Sequence, residues 1–366
     1  MSSCYGENLK LSIFGQSHGK AIGMVLDGIP AGLPVDMEAL RSFLDRRAPG
    51  KNGWSTPRKE ADAPQFLSGL LDSFTCGAPI AATIQNTNTR SGDYDNLKTC
   101  PRPGHADYTA QVKYGGFQDA AGGGHFSGRL TAPLCIAGGL CKQWLEAMGI
   151  RIGAHIVQIG SARCGGFDPL APELDRVGQL FPTLTPEASE AFQEIIAQAK
   201  ARNDSVGGRI QCAITGLPAG VGEPMFGGME SRIAQIVYGI PAVKSVSFGV
   251  GEEAAGMFGS ETNDSFVWDG DTVATQTNRC GGILGGISNG MPVLFDVVFK
   301  ATPSIGLAQN TVNLETGEAA DLSVAGRHDP CIVPRAVPVV EAAAAIAIFD
   351  LILGNTQTQR RKQPWN

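Results

Sequence analysis

Charge is scarce in this chain. Asp, Glu, Lys and Arg make up 17% of its 366 residues, against about 25% in an ordinary globular protein. With 43% hydrophobic residues, that excludes a disordered, highly charged tail protein. Basic residues are also in the minority, 29 against 35 acidic ones, for a formal charge of −6. A protein that coats nucleic acid carries the opposite excess, though a local basic pocket for a small anion remains open. Long apolar runs are missing. The first residues, MSSCYGENLKLSIFGQSHG, contain no stretch suited to a secretion signal. The most apolar segment, Val337–Leu353, is interrupted by Glu341 and Asp350 and falls short of the ~20 residues of a membrane span. It reads as a buried helix. The nine cysteines are scattered, with no CxxC pair and no zinc-ligand spacing. Thiols in that arrangement are expected to stay reduced in a cytoplasmic protein. Histidine is rarest of the chemically versatile residues, at five.

Glycine is the residue in excess: 48 of 366, about 13% against the usual ~7%. There is no three-residue period, so these glycines are expected in particular turns and loops. Apolar periodicity predicts helices over Met37–Arg47, Ala132–Met148, Pro186–Ala201 and Pro338–Leu353, with a weaker one over Met229–Tyr238. Strands are expected over Ile22–Leu26, Ile80–Gln85, Arg151–Ile159, Gly208–Thr215, Val243–Phe248 and Val293–Lys300. The mixture implies an α/β or α+β protein. One stretch is echoed. Gly28-Ile-Pro-Ala-Gly-Leu33 returns as Gly216-Leu-Pro-Ala-Gly-Val221, each copy after an apolar strand and before a helical segment. Either a common Gly-Pro turn is used twice, or a strand–turn–helix unit is repeated. Between about 48 and 128, 249 and 290, and 302 and 334, periodicity fades, and these stretches read as ordered functional loops.

The polar motifs fall in those loops or near the N-terminus. Gly15-Gln-Ser-His-Gly-Lys20 is one residue short of a nucleotide-binding phosphate loop, and Ala21 replaces its Ser or Thr. Gly281-Gly-Ile-Leu-Gly-Gly286 lacks the dinucleotide-binding spacing. Arg102-Pro-Gly-His-Ala-Asp107 and Gly122-Gly-Gly-His-Phe-Ser-Gly-Arg129 set histidines beside glycine and arginine. Gly326-Arg-His-Asp-Pro-Cys331 does the same. Four histidines, 18, 105, 125 and 328, sit in such loops, whereas His155 lies in a strand and is expected to be structural. Histidine gives and takes protons near neutral pH. Loop histidines beside arginines point to acid–base work on an anion. The loops also gather Arg46, Arg47, Lys51, Arg58, Lys59, Arg90, Arg102, Arg129, Arg279, Lys300, Arg327 and Arg335. In an acidic chain that suggests a focused positive cavity. Cys331 near His328 could serve as a nucleophile, but a buried inert thiol is the commoner case.

Seven stretches resemble the chorismate synthase family: FGQSHG (14–19), DGIPAG (27–32), LDRRAPG (44–50), NTNTRSGDY (86–94), RPGHADY (102–108), GGILGGISNG (281–290) and GRHDPCIVPRAVPVVEA (326–342). They span nearly the whole chain in the family's order. The resemblance implies one α+β domain over 1–366, with a flexible tail from about 355. The fold would be a β-α-β sandwich of antiparallel sheets flanked by helices, containing the strand–turn–helix repeat, usually assembled as a homotetramer. The implied reaction is a 1,4-anti elimination of phosphate from 5-enolpyruvylshikimate 3-phosphate, giving chorismate in aromatic amino-acid biosynthesis. It would need reduced FMN with no net redox change. By resemblance, His18 would act as an acid toward the substrate phosphate. His105 would protonate or hydrogen-bond the flavin near N1, and Asp329 would relay the proton at N5. Arg327, Lys300, Thr302, Ser304, Ser127, Ala242 and Gly285 would hold flavin, and Arg47 and Arg129 would bind substrate. No nucleic acid, membrane or metal partner is implied. There are departures. His125-Phe-Ser-Gly-Arg129 stands where the family commonly has Arg-Ser-Ser-Ala-Arg, so His125 would take over part of the flavin contact. Gly53 replaces a common arginine, for which Lys51 or Arg58 could compensate. A flavin-using oxidoreductase and a non-catalytic binding protein are the competing readings. No nicotinamide motif is visible, which favours an external reductant over NADPH.

Overall fold

The computed structural model describes residues 3–50, 54, 62–87, 97–178, 181–324 and 329–360. The first half contributes strands β1 (Cys4–Tyr5), β2 (Lys10–Gly15) and β3 (Ala21–Asp27), helix α1 (Met37–Arg47), then β4 (Gln65–Ser68), the small hairpin β5 (Leu70–Leu71) and β6 (Phe74–Thr75), and β7 (Ile80–Gln85). Helices α2 (Asp107–Tyr114) and α3 (Thr131–Ala147) follow. The second half runs β8 (Arg151–Ile159), β9 (Ala162–Arg163), α4 (Pro186–Ala201), β10 (Gly208–Thr215), α5 (Met229–Val237) and β11 (Val243–Phe248). Next come α6 (Gly259–Thr262), the hairpins β12 (Phe266–Asp269) with β13 (Thr272–Thr275) and β14 (Ile283–Leu284) with β15 (Ile287–Ser288), and β16 (Val293–Phe299). The hairpin β17 (Gln309–Val312) with β18 (Ala319–Leu322) and the long helix α7 (Val333–Arg360) complete the chain.

Two antiparallel five-stranded sheets result, in the orders β1-β2-β3-β7-β4 and β11-β16-β10-β8-β9. Strand alternation places Leu11, Ile22, Met24, Leu26, Ile80, Ala82 and Ile84 on one face of the first, all buried. Ile152, Ala154, Ile156, Ile210, Cys212, Ile214, Phe295 and Val297 do the same in the second. Setting aside the short edge strands β1 and β9, the two sheets share a strand order. In each, two neighbouring strands are followed by a helix, an edge strand and a fourth strand that returns beside the second. The echoed turns leave β3 and β10, the equivalent strands. Gly28 (φ +79°) and Gly216 (φ +75°) pass close to the carbonyls of Asn8 and Gly149, which precede the paired strands β2 and β8.

The expectation that helices flank the sheets is corrected. The two long helices lie between them. Helix α3 rests on β2, β3 and β7, α7 rests on β8 and β10, and the two helices pack on each other. Both are apolar almost all round because sheet or helix covers every side. From Val340 to Asp350 no residue is more than 2% exposed, which explains the apolar run that is a membrane-length helix by composition alone. Its two acids are matched. Glu341 receives both terminal nitrogens of Arg46, each at 2.7 Å. Asp350 accepts the backbone N–H groups of Glu7, Asn8 and Leu9 at the chain's entry to β2. At the crossing, Gly138 lies so close to Ala342 that a Cβ on Gly138 would sit 2.3 Å from the Ala342 Cβ. On the other face of the second sheet, Ala213 and Leu294 pack with Phe167, Leu174, Val177 and Leu184, and α4 contacts β8 and β9.

Helix α1 begins at Asp36, whose carboxylate accepts from the N–H groups of Glu38 and Ala39 at 2.9 and 3.0 Å. It ends at Arg46 and Arg47, which complement the helix dipole. Helix α7 starts five residues before the expected Pro338 and runs to Arg360, so helix occupies the first part of the segment expected to be a flexible tail. Strand β2 and helix α2 lie outside the sequence expectations. Helix α2 buries only Ala110, so it carries no apolar stripe to betray it.

Candidate active site

A cavity of about 580 Å³ opens where loops from both halves meet. That is within the ~300–1,000 Å³ of small-ligand sites. The first half supplies Arg47 from the end of α1, the loop holding Arg102 and His105, and the 125–129 segment. The second half supplies Ala242 before β11, the Lys300–Ser304 segment after β16, and Asp329 with Arg335 at the start of α7. Most of the expected site residues therefore converge: Arg47, His105, His125, Ser127, Arg129, Ala242, Lys300, Thr302, Ser304 and Asp329 all line it.

His18 stands immediately behind the wall, next to Ser17, which lines the cavity. Gly122, Gly123 and Gly124 have φ values of +61°, +81° and +53°, and Gly122 lies against His18 while Gly123 lies against His105. The amide of Ser17 donates to the Gly124 carbonyl at 3.0 Å. A Cβ at Gly122 would fall 1.9 Å from His18 Nδ1. Gly122 and Gly123 are thus close-approach positions for two histidines, His18 and His105.

His105 belongs to a tight polar cluster. Its Nδ1 lies 2.5 Å from Asp107 Oδ1. Arg102 donates to Asp107 through Nε at 2.7 Å and Nη2 at 2.8 Å, and to Ser304 Oγ through Nη1 at 2.9 Å. Burial alone would raise the Asp107 carboxyl, but Arg102 and His105 outweigh it and hold its pKa well below the usual range. Lys300 donates to the Gly104 carbonyl at 2.5 Å, tying β16 to the same loop. Burial, and then the nearby charge of Lys244, push its pKa down. Thr302 Oγ1 donates to the Asp329 carbonyl at 3.1 Å.

A second cluster surrounds Asp62, which is 2% exposed. Its two carboxylate oxygens meet Nη1 of Arg47 and Nη1 of Arg129, one each. Arg47 also donates through Nε to Thr131 Oγ1 at 3.1 Å and through Nη2 to the Gly128 carbonyl at 3.2 Å. Arg129 Nε donates to Asn86 Oδ1 at 3.3 Å. Burial would raise the Asp62 pKa, yet Arg47 and Arg129 carry it below the ordinary carboxylate value. Arg335 bridges onward, from Nη1 to Asp329 Oδ2 at 2.5 Å and from Nε to the Arg47 carbonyl at 2.9 Å.

Three of the expected flavin contacts are placed differently from the rest. His125 sits at the rim, but its Nδ1 meets the Gly15 carbonyl at 2.8 Å and its Nε2 meets Ser3 Oγ at 2.7 Å. Both nitrogens are engaged by the N-terminal strand region, so the ring braces the loop while lining the cavity. Gly285 does not reach the cavity; it forms the exposed turn between β14 and β15. Arg327, with Gly326 and His328, lies outside the described residues, as do Lys51, Gly53, Arg58, Lys59 and Arg90. Cys331 is 1% exposed and its thiol is pushed up to about 12 by burial, which suits an inert core cysteine. His155 is fully buried against Phe167, and burial lowers its pKa to about 4, so it is neutral at physiological pH.

Sequence reasoning gives Arg102 and Arg335 no role beyond general basicity, and it passes over Asp62 and Asp107. Asp107 leaves a trace, a carboxylate two residues after a loop histidine. Asp62 leaves none, because its partners are 15 and 67 residues away.

These features can be set beside known proteins. The family model for chorismate synthase matches residues 9–353. The chorismate synthase of Lancefieldella parvula is 45% identical, over 96% of both chains. That of Thermococcus gammatolerans is 43% identical, over 95% of this chain and 97% of its own. A crystal structure of chorismate synthase superposes with a TM-score of 0.75 at 28% identity, covering 96% of this chain and 93% of that one. With motifs, fold and relatives agreeing over almost its full length, the chain belongs to the chorismate synthase family.

Proposed function

We propose that the cavity eliminates phosphate from 5-enolpyruvylshikimate 3-phosphate to give chorismate, with reduced FMN bound beside the substrate. The observation that carries this is the charge of the wall. Arg47, Arg102, Arg129, Arg335 and Lys300 line it, and among the described residues Asp62, Asp107 and Asp329 pair with the four arginines. A surplus of fixed cations suits a substrate with two carboxylates and a phosphate.

The residues also fit a flat cofactor with a phosphate tail. Ile240, Pro241, Ala242, Ile332, Ala336 and Val339 give an apolar wall. Ala242 holds a left-handed φ of +74°, shaping the backbone there. Lys300, Thr302 and Ser304 would hold the anionic tail, with Ser127 alongside. Reduced FMN would supply the electron density that eases phosphate departure and loss of the C6 hydrogen, and it would end the cycle still reduced.

The chain's own residues do the rest. His18 donates a proton to the phosphate leaving C3, since a neutralised leaving group departs more easily. His105 holds or exchanges a proton at its ring. Asp329, anchored by Arg335, carries the proton released from C6. Arg47 and Arg129 bind the substrate's anionic groups. One functional unit over the whole chain, a homotetramer in the cytoplasm and an external reductant complete the reading. Exposed Phe258, Phe266 and Trp268 offer apolar surface for assembly.

Anaerobic turnover tests it. Chorismate and phosphate should appear in equal amounts, with the flavin still reduced at the end. Net flavin oxidation with turnover would replace this reading with an oxidoreductase. His18→Ala and His105→Ala should each lower kcat by about 10²–10⁴-fold while flavin still binds. Full activity in either variant removes that histidine from the mechanism.

A further inference from the structure

We propose that Asp107 fixes the tautomer of His105, keeping the hydrogen on Nδ1 and leaving Nε2 as the nitrogen that exchanges a proton in the cavity. The inference rests on the reading that His105 works in turnover, and it adds a positioning residue to that reading.

Two groups compete for one atom. His105 Nδ1 has two close neighbours, Asp107 Oδ1 at 2.5 Å and Arg102 Nη2 at 3.0 Å. The carboxylate can only accept and the guanidinium can only donate. If Nδ1 carries the hydrogen, it donates to Asp107. If it does not, it can accept from Arg102, but its lone pair then faces a carboxylate oxygen at 2.5 Å. The nearer contact is also the charge-assisted one, so the first arrangement prevails. Arg102 cannot turn away to relieve the choice. Its Nε and Nη2 are held by Asp107 and its Nη1 by Ser304.

Asp107 is itself fixed. It opens α2 and accepts the backbone N–H of Arg102 at 3.0 Å as well as its side chain. Its side chain is 8% exposed and that of Arg102 4%, so water competes little. The other ring nitrogen points toward the glycine loop. A Cβ at Gly123 would lie 3.2 Å from His105 Nε2 and 3.3 Å from Cε1. The absent side chain there leaves Nε2 uncovered. A neutral His105 therefore presents a lone pair at Nε2, takes a proton there, and returns it from the same atom. The opposite tautomer would offer a hydrogen that cannot be exchanged without resetting Nδ1.

The test reads the tautomer directly. The protein is labelled with ¹⁵N-histidine, the His105 signals are identified by their loss in His105→Gln, and spectra are taken without flavin where the ring is neutral. The wild type should carry its hydrogen on Nδ1. A hydrogen on Nε2 in the wild type overturns the proposal without any variant. In Asp107→Asn, Arg102 should become the donor to Nδ1 and the hydrogen should move to Nε2. The same variant should lose at least ~10²-fold in kcat, with KM changed less than about threefold. An unchanged tautomer in a folded Asp107→Asn protein also overturns the proposal. Arg102→Lys should leave the hydrogen on Nδ1, and its transfer to Nε2 would likewise count against Asp107 as the determinant. Failure of the catalytic reading looks different: His105→Ala would then turn over normally, whatever the spectra show.

Discussion

Gly122→Ala is expected to yield a folded protein with almost no turnover. The added methyl would lie 1.9 Å from His18 Nδ1 and 2.1 Å from its Cε1. Something must move, and the imidazole end of a rotatable side chain yields more cheaply than backbone. The left-handed φ of +61° adds about 1–2 kcal/mol for any L-residue. Stability should therefore fall modestly, while His18 is swung from its place behind the cavity wall. Displacement by an ångström or more removes proton donation to the leaving group, for a loss on the order of 10²–10⁴-fold in kcat. Gly115→Ala is the matched control. It imposes the same kind of strain at φ +60°, meets no atom within 4 Å and lies at the end of α2. Equal kcat in the two variants would show that backbone strain, not the histidine, is at stake. Wild-type kcat in Gly122→Ala would dismiss the contact as unimportant.

The second large effect is expected at Asp62. Replacing it with Asn leaves two guanidiniums, 4% and 5% exposed, facing each other without their shared carboxylate. Breaking a buried ion pair from one side costs about 3–5 kcal/mol, here with two stranded partners. The melting temperature of Asp62→Asn should drop, and KM for the substrate should rise as Arg47 and Arg129 lose their common anchor. The pH dependence has a definite sign. The folded pKa of Asp62 lies below its unfolded value of ~3.9. Its contribution is therefore complete above about pH 4 and is lost as pH falls through the lower folded value. Denaturation at pH 7 and at pH 3 should show the wild type losing more stability on acidification than Asp62→Asn does. Equal acid sensitivity, with unchanged stability at neutral pH, would mean that the carboxylate does not hold the arginines.

The sequence carried its regular elements openly where periodic burial wrote them. Strands β8, β10 and β11 and helices α1 and α4 match the expected bounds because sheet or helix presses on one defined face. Layer order was less legible. An apolar helix interrupted by Glu341 and Asp350 reads as buried, but nothing local says that two sheets cover it; that follows only from Arg46 and the 7–9 backbone arriving from far away. The site divides along the same line. His105, Arg129 and Asp329 announce themselves through neighbouring glycine and proline. His125 announces itself in the same way, but the partner of its Nδ1, the Gly15 carbonyl, is 110 residues distant and leaves no local sign. Asp62 is invisible for the converse reason: its importance lies wholly in which two arginines the fold brings to it.

The crossing of α3 and α7 has a mechanical consequence. With Gly138 against Ala342, the helices meet backbone to backbone, and no layer of side chains exists there to shear or to act as a hinge. Sliding one helix past the other would drive these backbones into each other, so the crossing resists relative movement of the two sheets. Entry of a cofactor and substrate into a cavity walled by both halves is therefore expected to involve the loops that rim it rather than a swing of the halves.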